Sequence, residues 1–132
     1  MKQLPTEIKE IIKKEKLEEN IKLTGYISNE ERDRIMANAS IFLFPSLFEG
    51  FGMPVVEALM LGTPVITTNT TSIPEVSCGK AVYVERATDI GEWMQKIKNV
   101  LMKGESRAYD FPQYQIHNIS RKYIALIESL QK

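Results

Sequence analysis

The chain has 132 residues, 43% of them hydrophobic, and its 17 Lys plus Arg balance 17 Asp plus Glu. That length allows one domain over 1–132 with a core, since such a chain buries roughly two-thirds of its unfolded surface, while zero net charge supplies no field for nucleic acid or an anionic membrane. One cysteine, Cys78, excludes an internal disulfide, and with a lone histidine, His117, it makes no conventional zinc site, so a cytoplasmic, metal-free protein is expected.

Pro5 to Lys16 reads as a helix, with Pro5 in its first turn and Leu4, Ile8, Ile11 and Ile12 on one face. Lys13, Lys14 and Lys16 are diluted by Glu10, Glu15, Glu18 and Glu19 and read as a solvated face. Ile21-Lys-Leu23 alternates and stops at Gly25, which predicts a short strand near a sheet edge. Ser28 and Glu31 have capping-box spacing and open a helix to about Ala39, with Ile35, Met36 and Ala39 inward. Ile41–Phe44 is apolar without alternation, as in a strand covered on both faces, and Pro45 ends it.

Met53 or Pro54 starts a helix that Gly62 closes. Pro64–Thr68 and Ala81–Val84 read as further buried strands, with one helical turn at Ile73–Val76 between them. Thr88 or Asp89 caps a helix whose inner face carries Ile90, Trp93, Ile97, Val100 and Leu101, ended by Gly104. After a polar loop, Ile116, Ile119, Tyr123, Ile127 and Leu130 recur at helical spacing. Alternating strands and helices predict an α/β fold with a mostly parallel sheet. Trp93 reads as core and His117 as surface; Cys78 sits in a loop with nothing around it that argues for a reactive thiol. No apolar stretch reaches the roughly 18 residues a membrane span needs, and no signal-peptide pattern follows Met1.

The chemistry concentrates at 49–57, EGFGMPVVE. A strand runs into Pro45-Ser46, a loop carries Glu49-Gly50-Phe51-Gly52, and a helix begins near Pro54. In an open α/β sheet, ligands bind outside the carboxyl ends of the strands. Loop glycines let backbone N–H groups approach an anion, and the helix N-terminus adds its dipole. A carboxylate in such a loop repels phosphate, so Glu49 is expected to face a neutral group such as a sugar hydroxyl. Glu57, a turn into the helix, suits the vicinal hydroxyls of a ribose. Taken alone, Glu57 would be an ordinary helix-surface glutamate, and Ser46 reads as a turn residue.

With its surroundings this stretch resembles the donor-binding half of retaining GT-B glycosyltransferases, the group that includes glycogen synthases and many bacterial mannosyl- and glucosyltransferases. The resemblance is carried by Ile21-Lys-Leu-Thr-Gly-Tyr-Ile27, Ala39–Ser46, the E-x7-E motif from Glu49 to Glu57, Gly62-Thr-Pro-Val-Ile66 and Thr71-Ser-Ile-Pro-Glu-Val76. It implies a partial Rossmann-like, three-layer fold with a parallel sheet of about four strands. It also implies that a hexose is transferred with retention from a nucleotide diphosphate sugar, a UDP- or GDP-sugar, without a metal or other cofactor. Glu49 resembles the motif's catalytic glutamate near the transferred sugar. Gly50, Phe51, Gly52 and Met53 then match the sugar and diphosphate loop, Glu57 the ribose ligand, and Tyr26 and Ile27 the segment beside the nucleobase. The 71–76 stretch is closer to mannosyltransferase-type members than to glycogen synthases.

The sequence departs from that pattern in two ways. The Arg and Lys that neutralise the leaving diphosphate, after a Gly-Arg-type strand end, have no match. Lys22, Lys80 and Arg86 are the local cations available, none at a family position. The acceptor domain is also without a match, and by the resemblance Met1 falls after the second strand of the donor domain. A doubly wound sheet has order 3-2-1-4-5-6, so the strand at Ile21–Leu23 is expected either to close up beside Ile41–Phe44 or to leave a gap that another chain fills, with self-association as a consequence. Two functions follow. One is a donor domain that is inactive without its complement. The other is a non-catalytic nucleotide-binding or interaction subunit of a split enzyme, or a truncated remnant, marked by exposed apolar surface where a partner docks.

Overall fold

The computed structural model describes residues 4–130. They form two compact units, one up to Arg32 and one from Asp33 onward. The expected place of Met1 in a larger domain lies outside the described residues.

In the first unit, Pro5 caps helix α1 (Thr6–Lys14), whose last turn is basic and whose side chains are largely exposed. Ile21–Leu23 is irregular rather than a strand. Three alternating residues make no ladder without a neighbour, and the sheet of the second unit consists of other segments. Helix α2 (Asn29–Ala37) leads from one unit into the other. Its start is the expected box: the Glu31 N–H donates to Ser28 Oγ at 3.1 Å.

The second unit is an α/β structure around a parallel sheet of three strands, β1 (Phe42–Phe44), β2 (Val65–Thr68) and β3 (Val82–Val84), in spatial order β1-β2-β3. Phe42 faces Val65, and Ile66 faces Val82. Sequential parallel strands need crossovers, supplied by α3 (Met53–Met60) and by the single turn α4 (Ile73–Val76). Helix α5 (Ile90–Lys103) follows β3, and α6 (Ile116–Leu130) follows a 3₁₀ turn at Pro112–Tyr114. No helix among the described residues is long and apolar enough to cross a membrane.

Only the central strand is buried throughout. β1 was expected to be covered on both faces, but Leu43 is 44% exposed, so one face of this edge strand is not fully covered. The core lies between β2 and the apolar side of α3, where Val55, Val56, Ala58 and Leu59 are buried with Val65, Ile73, Val76 and Phe111. Burying side chains of this size contributes about 1.5–3 kcal/mol each. Asp89 caps α5 as its sequence suggests, its Oδ1 accepting from the Glu92 N–H at 3.0 Å, and Gly104 ends it at φ 62. The inward faces expected for α5 and α6 are not buried: Ile90, Leu101, Ile116, Tyr123, Ile127 and Leu130 are all exposed. Trp93 is half-buried, donating from Nε1 to the Ala87 carbonyl at 2.9 Å.

The loop 105–111, polar at first sight, folds back onto the end of α3. The Tyr109 N–H donates to the Leu59 carbonyl at 3.0 Å and Ser106 Oγ to the Gly62 carbonyl at 2.6 Å. Gly62 permits this return: its φ is 87, and a Cβ there would stand 3.4 Å from the Ala108 nitrogen. Phe111 is thereby buried and stacks on Tyr114, ring centroids 5.9 Å apart.

Candidate functional site

Two loops meet at the carboxyl ends of β1 and β2. The first, residues 45–52, leaves β1 for α3; the second, residues 69–72, leaves β2 for α4. Hydroxyl groups join them. Thr68 Oγ1 donates to the Ser46 carbonyl, and Thr70 Oγ1 lies 3.0 Å from Thr68 Oγ1. Thr67 Oγ1, one step back in β2, donates to the Phe44 carbonyl at 2.9 Å. These are the bonds an irregular loop needs when no ladder satisfies its backbone.

Glu49 is the residue these bonds hold. Its N–H donates to Thr71 Oγ1 at 3.2 Å, and its carbonyl accepts from Ser72 Oγ at 3.1 Å. Its carboxylate accepts through Oε1 from Ser46 Oγ at 2.8 Å. No described residue engages Oε2. Glu49 is half-buried, so backbone and side chain are both positioned while one oxygen stays available to a donor. Thr71 sits at φ 49, a conformation a β-branched residue adopts only when its surroundings impose it.

Gly52 turns the loop into α3. Its φ of 86 is left-handed, and it serves as N-cap without a capping side chain, so the helix start is left open to an outside acceptor. Pro54 occupies the first turn, where its missing N–H costs nothing. At Gly50 a Cβ would meet nothing within 4 Å, so open space borders that backbone. Phe51 leans edge-on against Tyr114, centroids 5.1 Å apart, and Tyr114 Oη donates to the Val76 carbonyl at 2.9 Å. Burial pushes the Tyr114 phenol above its ordinary pKa, so it stays a donor. Met53 is exposed at the helix start, and Glu57 lies half-buried one turn into α3.

The structure thus brings Glu49, Gly50, Phe51, Gly52, Met53 and Glu57 onto one loop and helix start at the carboxyl end of the sheet. Tyr26 and Ile27 belong to the first unit, just after Gly25 at φ 63; Tyr26 is 98% exposed and Ile27 half-buried. Ser46, Thr71 and Ser72 had no place in the site as read from the sequence. The run Asn-Thr-Thr-Ser directly after a buried strand is the signal that marks the last two, since clustered hydroxyls there serve neighbouring backbone.

Two of the local cations, Arg86 and Lys80, lie in the second unit. Arg86 pairs with Asp89 at 2.7 Å and approaches Glu92 at 3.8 Å. Lys80 precedes β3 and so stands at the opposite, amino end of the sheet. Lys22 is exposed in the first unit. No Lys or Arg is among the groups bonded to Glu49. Among the described residues no cluster of His, Cys, Asp or Glu has the makings of a metal site. Cys78 is exposed, at φ 52, and its Sγ accepts from Gln113 Nε2 at 3.2 Å.

Comparison with known proteins bears on this arrangement. Residues 2–114 match the model of the family described as glycosyl transferases group 1. The O-antigen chain mannosyltransferase B of Escherichia coli is 41% identical over 70 residues, which are 53% of this chain and 18% of that protein. The MMP alpha-(1->4)-mannosyltransferase of Mycolicibacterium hassiacum is 42% identical over 50 residues, 38% of this chain and 12% of that protein. The O-antigen chain mannosyltransferase RfbU of Salmonella typhimurium is 32% identical over 84 residues, 64% and 24% of the two chains. The matches therefore span less than a quarter of these relatives' length. With most of its length inside the family's own pattern and the parallel α/β sheet expected of a Rossmann-like half, the chain belongs to the glycosyl transferases group 1 family.

Proposed function

We propose that the loop 49–53 and Glu57 form the donor site of a hexosyltransferase that takes a nucleotide diphosphate sugar, a UDP- or GDP-sugar, and transfers the sugar with retention. The observation that carries this reading is the fixing of Glu49 at three points by Ser46, Thr71 and Ser72, beside a helix start that has no capping side chain. Glu49 Oε2 accepts from a sugar hydroxyl, and its held geometry places negative charge near the sugar ring, where positive charge develops as the glycosidic bond breaks. The diphosphate lies over Gly50 and the N-terminus of α3, taking backbone N–H donors and the helix dipole. Glu57 accepts from the ribose hydroxyls. The mannosyltransferase names of the relatives favour mannose as the sugar.

The diphosphate leaves with its charge uncompensated unless a cation joins the site; Arg86 is paired with Asp89, and Lys80 stands at the amino end of the sheet. Losing a preorganised charge partner of this kind costs on the order of a hundredfold or more in rate. The chain alone is therefore expected to bind donor without measurable transfer. Calorimetric titration with UDP, GDP and their sugar conjugates tests the binding: one nucleotide saturates, and Glu57→Ala weakens it. A folded protein that binds none of them refutes the donor site. Steady sugar transfer by the pure chain refutes the need for a further cation.

A second reading, an interaction subunit that binds nucleotide without catalysing, draws on the uncovered apolar residues of α6, where Tyr123, Ile124, Leu126, Ile127 and Leu130 are all more than half exposed. Sedimentation equilibrium separates the two. A partner or second copy that covers α6 without restoring transfer favours the subunit.

A further inference from the structure

The amino ends of β2 and β3 border a second recess, apart from the Glu49 loop. It is an open cavity of about 800 Å³ between α5, the strand starts and the returning loop 105–109. Its walls carry four cations, Lys80, Lys96, Lys103 and Arg107, and one carboxylate, Glu105. None of the four cations makes an ion pair with a described carboxylate. Lys80 Nζ lies over the Tyr109 ring, 4.8 Å from its centroid, and the Arg107 guanidinium carbon lies over the same ring at 5.5 Å. A ring holds cations in place without cancelling their charge. Two like charges held against one aromatic ring repel each other, and an anion bound beside them relieves that repulsion.

The recess is also built rather than incidental. Its wall is fixed by the Ser106 and Tyr109 hydrogen bonds to Gly62 and Leu59, a return that the left-handed φ of 87 at Gly62 favours. The apolar side chains of Leu59, Val65, Val82 and Val100 line it as well, so part of the cavity suits an uncharged portion of the same ligand.

We propose that this cavity is a binding site for a phosphate-bearing ligand, distinct from the donor loop and independent of it. Arg107 and the lysines hold the phosphate, and Tyr109 with the aliphatic wall receives what the phosphate is attached to. A free phosphate compound and a lipid headgroup share this chemistry. The test therefore has two arms on the whole chain at low ionic strength: calorimetric titration with inorganic pyrophosphate, and co-sedimentation with phosphatidylglycerol vesicles against phosphatidylcholine vesicles. Lys80→Gln with Arg107→Gln, and separately Lys96→Glu with Lys103→Glu on the surface of α5, are each expected to weaken binding at least tenfold. Glu57→Ala is expected to leave it unchanged. Saturable pyrophosphate binding that both double variants weaken supports the site and a free phosphate ligand. Selective binding to phosphatidylglycerol, lost in both, supports it and a headgroup. Absence of binding in both arms overturns the proposal, as does binding that the α5 variant leaves intact while circular dichroism shows it folded.

Discussion

At the carboxyl ends of β1 and β2, hydroxyl groups from two loops hold one carboxylate in place, and no cation is bonded to it. At the amino ends of β2 and β3, four cations surround an open cavity with a single carboxylate for company. A chain of zero net charge thus gathers four of its cations around one cavity at the amino end of the sheet. Averaged composition excluded a general attraction to polyanions, and it was silent about where the cations gather. Neutral balance constrains the far field only; local recognition depends on which loops the fold brings together.

Of the two ends of the sheet, the carboxyl end is expected to be the more sensitive to substitution. Removing the carboxylate in Glu57→Ala loses charge-assisted hydrogen bonds worth about 1.5–3 kcal/mol, or about ten- to a hundredfold in nucleotide affinity. Glu49→Gln is expected to leave affinity for the bare nucleotide unchanged and to weaken only the sugar conjugate. Calorimetry on the nucleotide and its conjugate checks both. A Glu49→Gln loss equal for the two would move Glu49 from the sugar to the nucleotide.

Next in size is a change at the amino end. Gly62→Ala places a Cβ at φ 87, in contact with Ala108, and a left-handed conformation costs a non-glycine residue about 1–2 kcal/mol. Its melting temperature is expected to fall by several degrees. Pyrophosphate binding is expected to weaken because the wall 105–109 no longer seats, while nucleotide binding is spared. Unfolding followed by circular dichroism, with both titrations, checks this.

A smaller effect separates strain from bonding at Thr71. Thr71→Ala removes the acceptor of the Glu49 N–H yet keeps φ near 49. Thr71→Gly removes the acceptor and the strain together. The glycine variant is expected to be the more stable by about 1 kcal/mol, with donor binding weakened alike in both. Equal melting temperatures would show that the loop, rather than the residue, sets the backbone there.

Much of this arrangement was legible in the sequence, and what escaped has physical causes. The helix starts at Ser28 and Asp89, the stop at Gly104, the turn at Ile73–Val76 and the buried strand Val65–Thr68 follow from local chemistry, which the chain states within a few residues. The turn from the loop 45–52 into α3 was legible because a glycine pair and a proline stand at its end. What holds Glu49 was not, since Thr71 and Ser72 are 22 and 23 residues away and meet it only through the sheet. Phe111 was hidden for the same reason: its burial depends on the return of loop 105–109 to Gly62. Ile21–Leu23 misled because alternation describes a side-chain pattern, whereas a strand also requires a neighbour to pair with. The apolar spacing of α5 and α6 gave the right helices and the wrong degree of burial, because periodicity specifies which face is apolar and not what covers it.

The smallest expected effect concerns Glu92, which fastens the carboxyl end of β3. Its carboxylate accepts from the Glu85 N–H at 2.9 Å and the Arg86 N–H at 3.1 Å. These backbone donors, with the Arg86 and Lys96 charges nearby, hold its pKa below the ordinary carboxylate value. The unfolded chain binds that proton more readily than the folded one, so the contribution is fully present above the unfolded value of about 4.3. It is lost as the pH falls through the lowered folded value. Glu92→Gln keeps the shape and removes the charge. The melting-temperature gap between wild type and Glu92→Gln is therefore expected to be constant from neutral pH to about pH 5. It closes at lower pH, and the Asp89 cap of α5 is common to both proteins, so it cancels from the gap. A gap that stayed constant into acid would mean that the two backbone N–H groups are satisfied equally by a neutral amide, and that the charge at this end of the sheet is not part of what holds it together.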